Sequence, residues 1–137
     1  MWMFQPRFKA ISASIFVILQ YFLSYFLSYT LQINSTSMGA GSQELGEMLL
    51  RSFLNNLAAL EELPTSIVVY NAGVGLAQVG SDTAGALQKM ADKGAEILLC
   101  GTCIDYYGLR DKALVGQISN MATITDRLLK APKVVSL

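Results

Sequence analysis

Histidine is absent from this chain of 137 residues, cysteine occurs twice and tryptophan once. Without histidine there is no imidazole base, no Ser-His or Cys-His dyad and no nitrogen ligand for zinc. Two cysteines three residues apart are too few for a secreted disulfide framework. A structural zinc site needs four ligands, which one chain with two thiols reaches only with carboxylates or with a second copy. Neither sign of charge is in excess, since ten Lys and Arg stand against ten Asp and Glu, and they are scattered. A basic face for phosphate backbones is therefore missing, and nucleic acid is excluded as a partner. No motif calls for a cofactor.

Charge is also missing locally. Residues 10–29 (AISASIFVILQYFLSYFLSY) carry none, and they account for a hydrophobic content of 53%, above the usual ~45–50%. About 20 uncharged residues match a bilayer span. Arg7 and Lys9 precede the run, and Tyr21, Tyr25 and Tyr29 crowd its far end like an interfacial belt. The same features fit a cleaved signal or an atypical extension. The run passes into the first strand without a linker. Membrane association through residues 10–29 is one expectation, and it pulls against a reduced dithiol, which belongs in the cytoplasm. A basic flank before a single span leaves the carboxyl side outside.

What is present is an alternation of strand and helix. Buried strands are expected at 29–34, 66–71, 96–101, 115–118 and 133–137, as short apolar runs closed by Gly, Asn or Pro. Helices are expected between them. The first follows Ser42 with Leu45, Leu49, Phe53, Leu57 and Leu60 facing the core, Met48 and Leu50 widening the stripe. The next follows Ser81 and Asp82, and the last follows Ser119 or Asn120. This pattern gives a three-layer α/β/α domain at 29–137 with a parallel sheet of about five strands, preceded by the apolar segment 1–28. Between the first strand and its helix, Gly39, Gly41 and Gly46 invite a phosphate-loop reading. The spacing fails both glycine fingerprints, because Glu44 and Glu47 stand where they need Gly and Lys.

Chemistry concentrates at 97–110, ILLCGTCIDYYGLR. A buried strand runs directly into Cys100-Gly-Thr-Cys103, so both thiols fall at a strand's carboxyl end, where open α/β sheets place their ligands. An unaccompanied Cys-x-x-Cys is most often a redox pair. Cys100 and Cys103 are the candidate catalytic residues, with Gly101 and Thr102 between them. Arg110 is a candidate positive charge, and Tyr106 or Tyr107 a phenolic donor to a thiolate. Asn71 and Gly73, closing the second strand, are expected to neighbour the thiols across the top of the sheet.

Several motifs in order, SMGAG at 37–41, QELG at 43–46, YNAGV at 70–74, GSD at 80–82, CGTCIDYYGL at 100–109 and VGQISNM at 115–121, resemble the DsrE-like domain of YedF-type, sulfurtransferase-like selenium-metabolism proteins. The resemblance implies a compact oligomeric α/β domain and a sulfur or selenium carrier working through a persulfide or selenosulfide. By register to Gly108, it implies that Cys100 carries the chalcogen and that Cys103 is the second, resolving thiol. It implies a donor or acceptor protein as partner, TusA-like in the relatives. Where those proteins have a TusA-like domain with a Cys-Pro motif, this sequence has the apolar run, and Ala40 stands at a position that is often basic. Two other classes fit the residues: a non-enzymatic, partner-binding oligomeric subunit, and a membrane-tethered thiol-disulfide oxidoreductase.

Overall fold

The computed structural model describes residues 12–137. Helix α1 (Ala13–Leu27) is followed by β1 (Thr30–Ile33), α2 (Gln43–Ala58), β2 (Ser66–Val69), a 3-10 helix (Asn71–Ala77) and α3 (Ala84–Asp92). Then come β3 (Glu96–Cys100), α4 (Gly101–Tyr106), β4 (Gln117–Ser119), α5 (Met121–Lys130) and β5 (Val134–Ser136). The five strands form one sheet in the order β4-β3-β2-β1-β5, parallel throughout. The expected three-layer architecture is the one observed.

The central strands are buried on both faces, as continuous Ile/Leu/Val runs require. Leu31, Ile33, Ile67, Val69, Ile97 and Leu99 face α2 and α3, whose Leu50, Leu54, Leu87 and Met90 close that layer. Val68, Leu98 and Cys100 face the other way, onto Ile124 of α5. At about 25 cal/mol per Å² of apolar surface, these two layers supply most of the favourable energy of folding.

Three sequence expectations are corrected. First, the core stripe of α2 is rotated. Gly46, Leu50, Leu54, Leu57 and Ala58 are buried, whereas Leu45, Met48, Leu49 and Leu60 are exposed. The reason is Gly46. A Cβ there would sit 1.7 Å from Ser37 Oγ, and its carbonyl accepts the Met38 N–H at 3.0 Å. The helix therefore seats its small residue against the preceding loop, and the bulkier neighbours turn outward. Second, the fourth strand begins at Gln117, not Val115. Val115 N–H donates to the Ala77 carbonyl at 2.8 Å and Val79 N–H to that of Ala113 at 2.9 Å, tying 113–115 antiparallel to the end of the 3-10 helix before the chain joins β3.

Third, the apolar run forms a helix of 15 residues, about 22 Å at 1.5 Å per residue. That is short of the ~30 Å hydrocarbon core. Ser28 ends it by donating both its N–H and its hydroxyl to the Tyr25 carbonyl, at 3.1 and 2.6 Å. Among the described residues no helix is long and apolar enough to cross a membrane. Residues 1–11, with Arg7, Lys9 and the start of the run, lie outside the described residues. None of the residues of α1 is buried, whereas Tyr29, two positions beyond, packs against the main core.

Candidate functional site

The carboxyl ends of β2 and β3 lie side by side, with Val69 paired to Leu99. From β2 the chain enters the 3-10 helix at Asn71, and from β3 it enters α4 at Gly101. Both transitions begin at the same edge of the sheet, so Asn71 and the Cys-x-x-Cys meet there. The order of strands reverses between β1 and β5, and the dithiol stands two strands from that point, above the sheet's β2–β3 half.

The two thiols differ in surroundings. Cys100 is the last residue of β3 and is only 2% exposed, packed with Val68, Leu98 and Ile124 and flanked by Tyr70 and Leu128. Cys103, one turn into α4, is partly exposed and touches both core layers. The Asn71 N–H donates to Cys103 Sγ at 3.0 Å. Asn71 has φ +51°, alone among the described non-glycine residues in the left-handed region, a conformation that Asn tolerates better than most. Its side chain is held in turn, since the Tyr107 hydroxyl donates to Asn71 Oδ1 at 3.1 Å.

Burial pushes the Cys103 thiol above its ordinary value, the Asn71 N–H pulls it down, and the neighbouring Cys100 pushes it up again. Desolvation disfavours the thiolate, and the one N–H aimed at the sulfur offsets it. This gives a nucleophile whose anion is scarcer at neutral pH but intrinsically strong once formed.

The other candidates divide. Gly101 is pressed against β4, where a Cβ would stand 2.9 Å from the Ser119 carbonyl oxygen. Gly73 is buried, and a Cβ there would meet the Ile33 carbonyl oxygen at 3.0 Å. Both are close-approach positions that let the two strand-to-helix transitions pack. Thr102 faces solvent. Tyr106, 82% exposed, stacks edge-on against Tyr107 at 5.1 Å between ring centroids and bonds to nothing at the thiols. The phenol that reaches the site belongs to Tyr107, and it acts on Asn71 rather than on a sulfur. Arg110 is engaged by Asp105 through Nε–Oδ1 at 2.5 Å and Nη2–Oδ2 at 2.9 Å. That pairing holds the Asp105 carboxyl below its usual range. The guanidinium therefore braces the end of α4, with its Nη2 3.8 Å from where a Gly101 Cβ would stand.

Among the described residues no group of three or more His, Cys, Asp and Glu is placed to hold a metal ion. A cleft of about 420 Å³ lies elsewhere, between α2 and the segment leading into α3, with Glu44, Glu47, Arg51 and Asp82 on its walls. Arg51 and Asp82 close across it at 2.6 Å. It shares no lining residue with the dithiol.

The family model of the DsrE/DsrF-like family matches residues 37–137. In three dimensions the chain is similar to the YchN protein of E. coli, with a TM-score of 0.57 and 18% identity, covering 80% of this chain and 98% of that one. A protein of unknown function from Methanobacterium thermoautotrophicum aligns with a TM-score of 0.58 and 20% identity, over 80% and 98% of the two chains. A conserved protein of unknown function from Bacteroides thetaiotaomicron aligns at 0.53 and 16%, over 79% and 94%. At these identities the likeness is one of fold. No curated protein matches the chain in sequence.

Proposed function

This chain belongs to the DsrE/DsrF-like family, and from that premise we propose that it carries sulfur or selenium on the Cys100–Cys103 pair, in the manner of YedF-type proteins. The observation that carries the reading is the dithiol itself. Two free thiols stand together at the carboxyl end of β3, one partly exposed, with a backbone N–H aimed at its sulfur. A thiolate attacks the terminal sulfur of a donor persulfide, the donor leaves as a thiolate, and the sulfur remains on the carrier as a persulfide. Selenium follows the same path as a selenosulfide. No step needs a metal or an organic cofactor.

The donor or acceptor is a protein that presents its own cysteine, TusA-like in type, and the exposed Tyr106 beside the dithiol is the contact we assign to it. The domain is 29–137, and α1 is an appendage to it. A homo-oligomer is supported by Leu45, Met48 and Leu49, large apolar side chains exposed together on α2. The same patch favours a second reading, in which the chain is a non-enzymatic subunit that binds partners.

Intact-mass spectrometry separates the readings. After incubation with a low-molecular-weight persulfide or selenopersulfide, the parent gains the mass of one sulfur or selenium atom. The double variant Cys100→Ser/Cys103→Ser gains nothing. No mass gain on loading in the parent, or the same gain in parent and double variant, refutes the carrier, and the binding subunit then stands. Catalytic turnover of a generic disulfide identifies an oxidoreductase instead.

A further inference from the structure

We infer that Cys103 is the thiol that takes sulfur from the donor and that Cys100 is the thiol that resolves it, the reverse of the order implied by register with the family. The inference rests on the carrier reading above and adds the order of events. A donor persulfide held on another protein delivers its sulfur only to a thiol it reaches. Cys100, 2% exposed, lies under the sheet edge among Val68, Leu98 and Ile124, with Tyr70 and Leu128 closing over it. Cys103 is partly exposed and packs against the same cluster.

The polar groups agree with the exposure. The N–H at the dithiol is directed to Cys103 Sγ, and it comes from a residue held in the left-handed region, which non-glycine residues enter at a cost. Tyr107 holds that residue from the far side through Asn71 Oδ1. An N–H fixed at this position stabilises negative charge on Cys103 Sγ in the attacking thiolate and again when Cys103 leaves as a thiolate as the sulfur passes on. Val68, Leu98, Ile124, Tyr70, Leu128 and the Cys103 side chain pack about Cys100.

Two steps follow. Cys103 thiolate attacks the terminal sulfur of the donor persulfide. The donor's S–S bond breaks, its electron pair leaves with the donor thiolate, and Cys103 holds the sulfur as a persulfide. No net oxidation occurs. If an acceptor thiolate attacks the outer sulfur, the sulfur passes on and Cys103 thiolate is restored. If instead Cys100 loses its proton and attacks Cys103 Sγ, the outer S–S bond breaks and the terminal sulfur leaves as hydrosulfide. The sulfur is then reduced by two electrons, the two thiols are oxidised to the Cys100–Cys103 disulfide, and a dithiol reductant restores the pair.

The test is peptide mapping of the full chain after brief loading with glutathione persulfide, for the parent and for Cys103→Ser, Cys100→Ser and Cys100→Ala. The alanine variant covers the case in which a buried serine hydroxyl disturbs the fold. The expected result is one added sulfur on Cys103 in the parent. Loading is reduced about tenfold or more in Cys103→Ser, and the persulfide outlives the parent's in both Cys100 variants. Added sulfur on Cys100, with Cys103→Ser loading as fast as the parent, overturns the order and leaves the carrier reading intact. Added sulfur on neither residue overturns both.

Discussion

Gly101 separates the two thiols, and its replacement by alanine is decided by packing at the site. A Cβ there would stand 2.9 Å from the Ser119 carbonyl oxygen and 3.3 Å from Ile118 Cγ2. Ser119 and Ile118 belong to β4 and pair with Cys100 and Leu99 of β3, so the obstacle is backbone held in a sheet, not the free end of a side chain. Either α4 or β4 must shift by a few tenths of an ångström, and overpacking of this kind costs about 1–3 kcal/mol. Alanine recovers up to about 1 kcal/mol over glycine in a helix, less at the first position of a helix of six residues. The net expectation for Gly101→Ala is a loss of about 1–2 kcal/mol, or about 3–6 °C in Tm for a domain of this size. Gly85→Ala is the control. Gly85 is in α3, faces solvent, and a Cβ there meets nothing within 4 Å, so the same substitution stabilises by about 0.5–1 kcal/mol. Urea unfolding of the parent and both variants, with equal m-values, reads the two signs. The reasoning is refuted if Gly101→Ala is as stable as the parent, or if the two glycines respond alike.

Further predictions concern charge, the thiol and the appended helix. Burial raises the Cys103 thiol, so its alkylation rate climbs mainly above the pH at which a free thiol titrates. Tyr107→Phe frees Asn71 Oδ1 and moves that midpoint up; rate profiles against pH that superimpose contradict the role given to Tyr107. Arg127 donates to Glu96 at 2.8 and 3.1 Å, and Ser66 Oγ donates to the same carboxylate at 2.8 Å. Together they hold Glu96 below its usual value. A carboxyl lowered on folding contributes stability above its unfolded value and loses it as pH falls through the folded one. Arg127→Gln therefore costs about 0.5–1 kcal/mol near neutral pH, and the difference from the parent vanishes in acid. A difference that persists at low pH refutes the ion pair as its cause. Deleting residues 1–28 removes no buried side chain of α1 and changes the unfolding free energy of the domain by less than about 0.5 kcal/mol, which denaturation of the shortened chain measures.

The sheet was readable because β2 and β3 each carry three consecutive Ile, Leu or Val residues, at 67–69 and 97–99, and a run of that kind has few alternatives once Gly or Pro bounds it. Helix faces were harder. The apolar stripe of α2 pointed to Leu45 and Leu49, whereas a contact between backbone and Ser37 at Gly46 sets the rotation, and no hydropathy pattern records it. Helix α4 escaped because it has only six residues and opens on glycine. At the site, the spacing of the thiols and their place at a strand end could be read directly. The Asn71 N–H on Cys103 could not, because it joins residues 32 apart in sequence through the pairing of β2 and β3. An asparagine directly after a strand was the available signal, since Asn enters the left-handed region readily. Arg110 looked free only while Asp105, five residues earlier, was left out of account.

The measurement that tests the central claim most directly is cyanolysis of the protein re-isolated after exposure to a persulfide donor. Cyanide removes sulfane sulfur as thiocyanate and leaves ordinary thiols and thioethers untouched. A carrier working through Cys100 and Cys103 releases one thiocyanate per chain, and the Cys100→Ser/Cys103→Ser variant, folded to the same stability, releases none. Thiocyanate from the parent no greater than from the double variant contradicts the account.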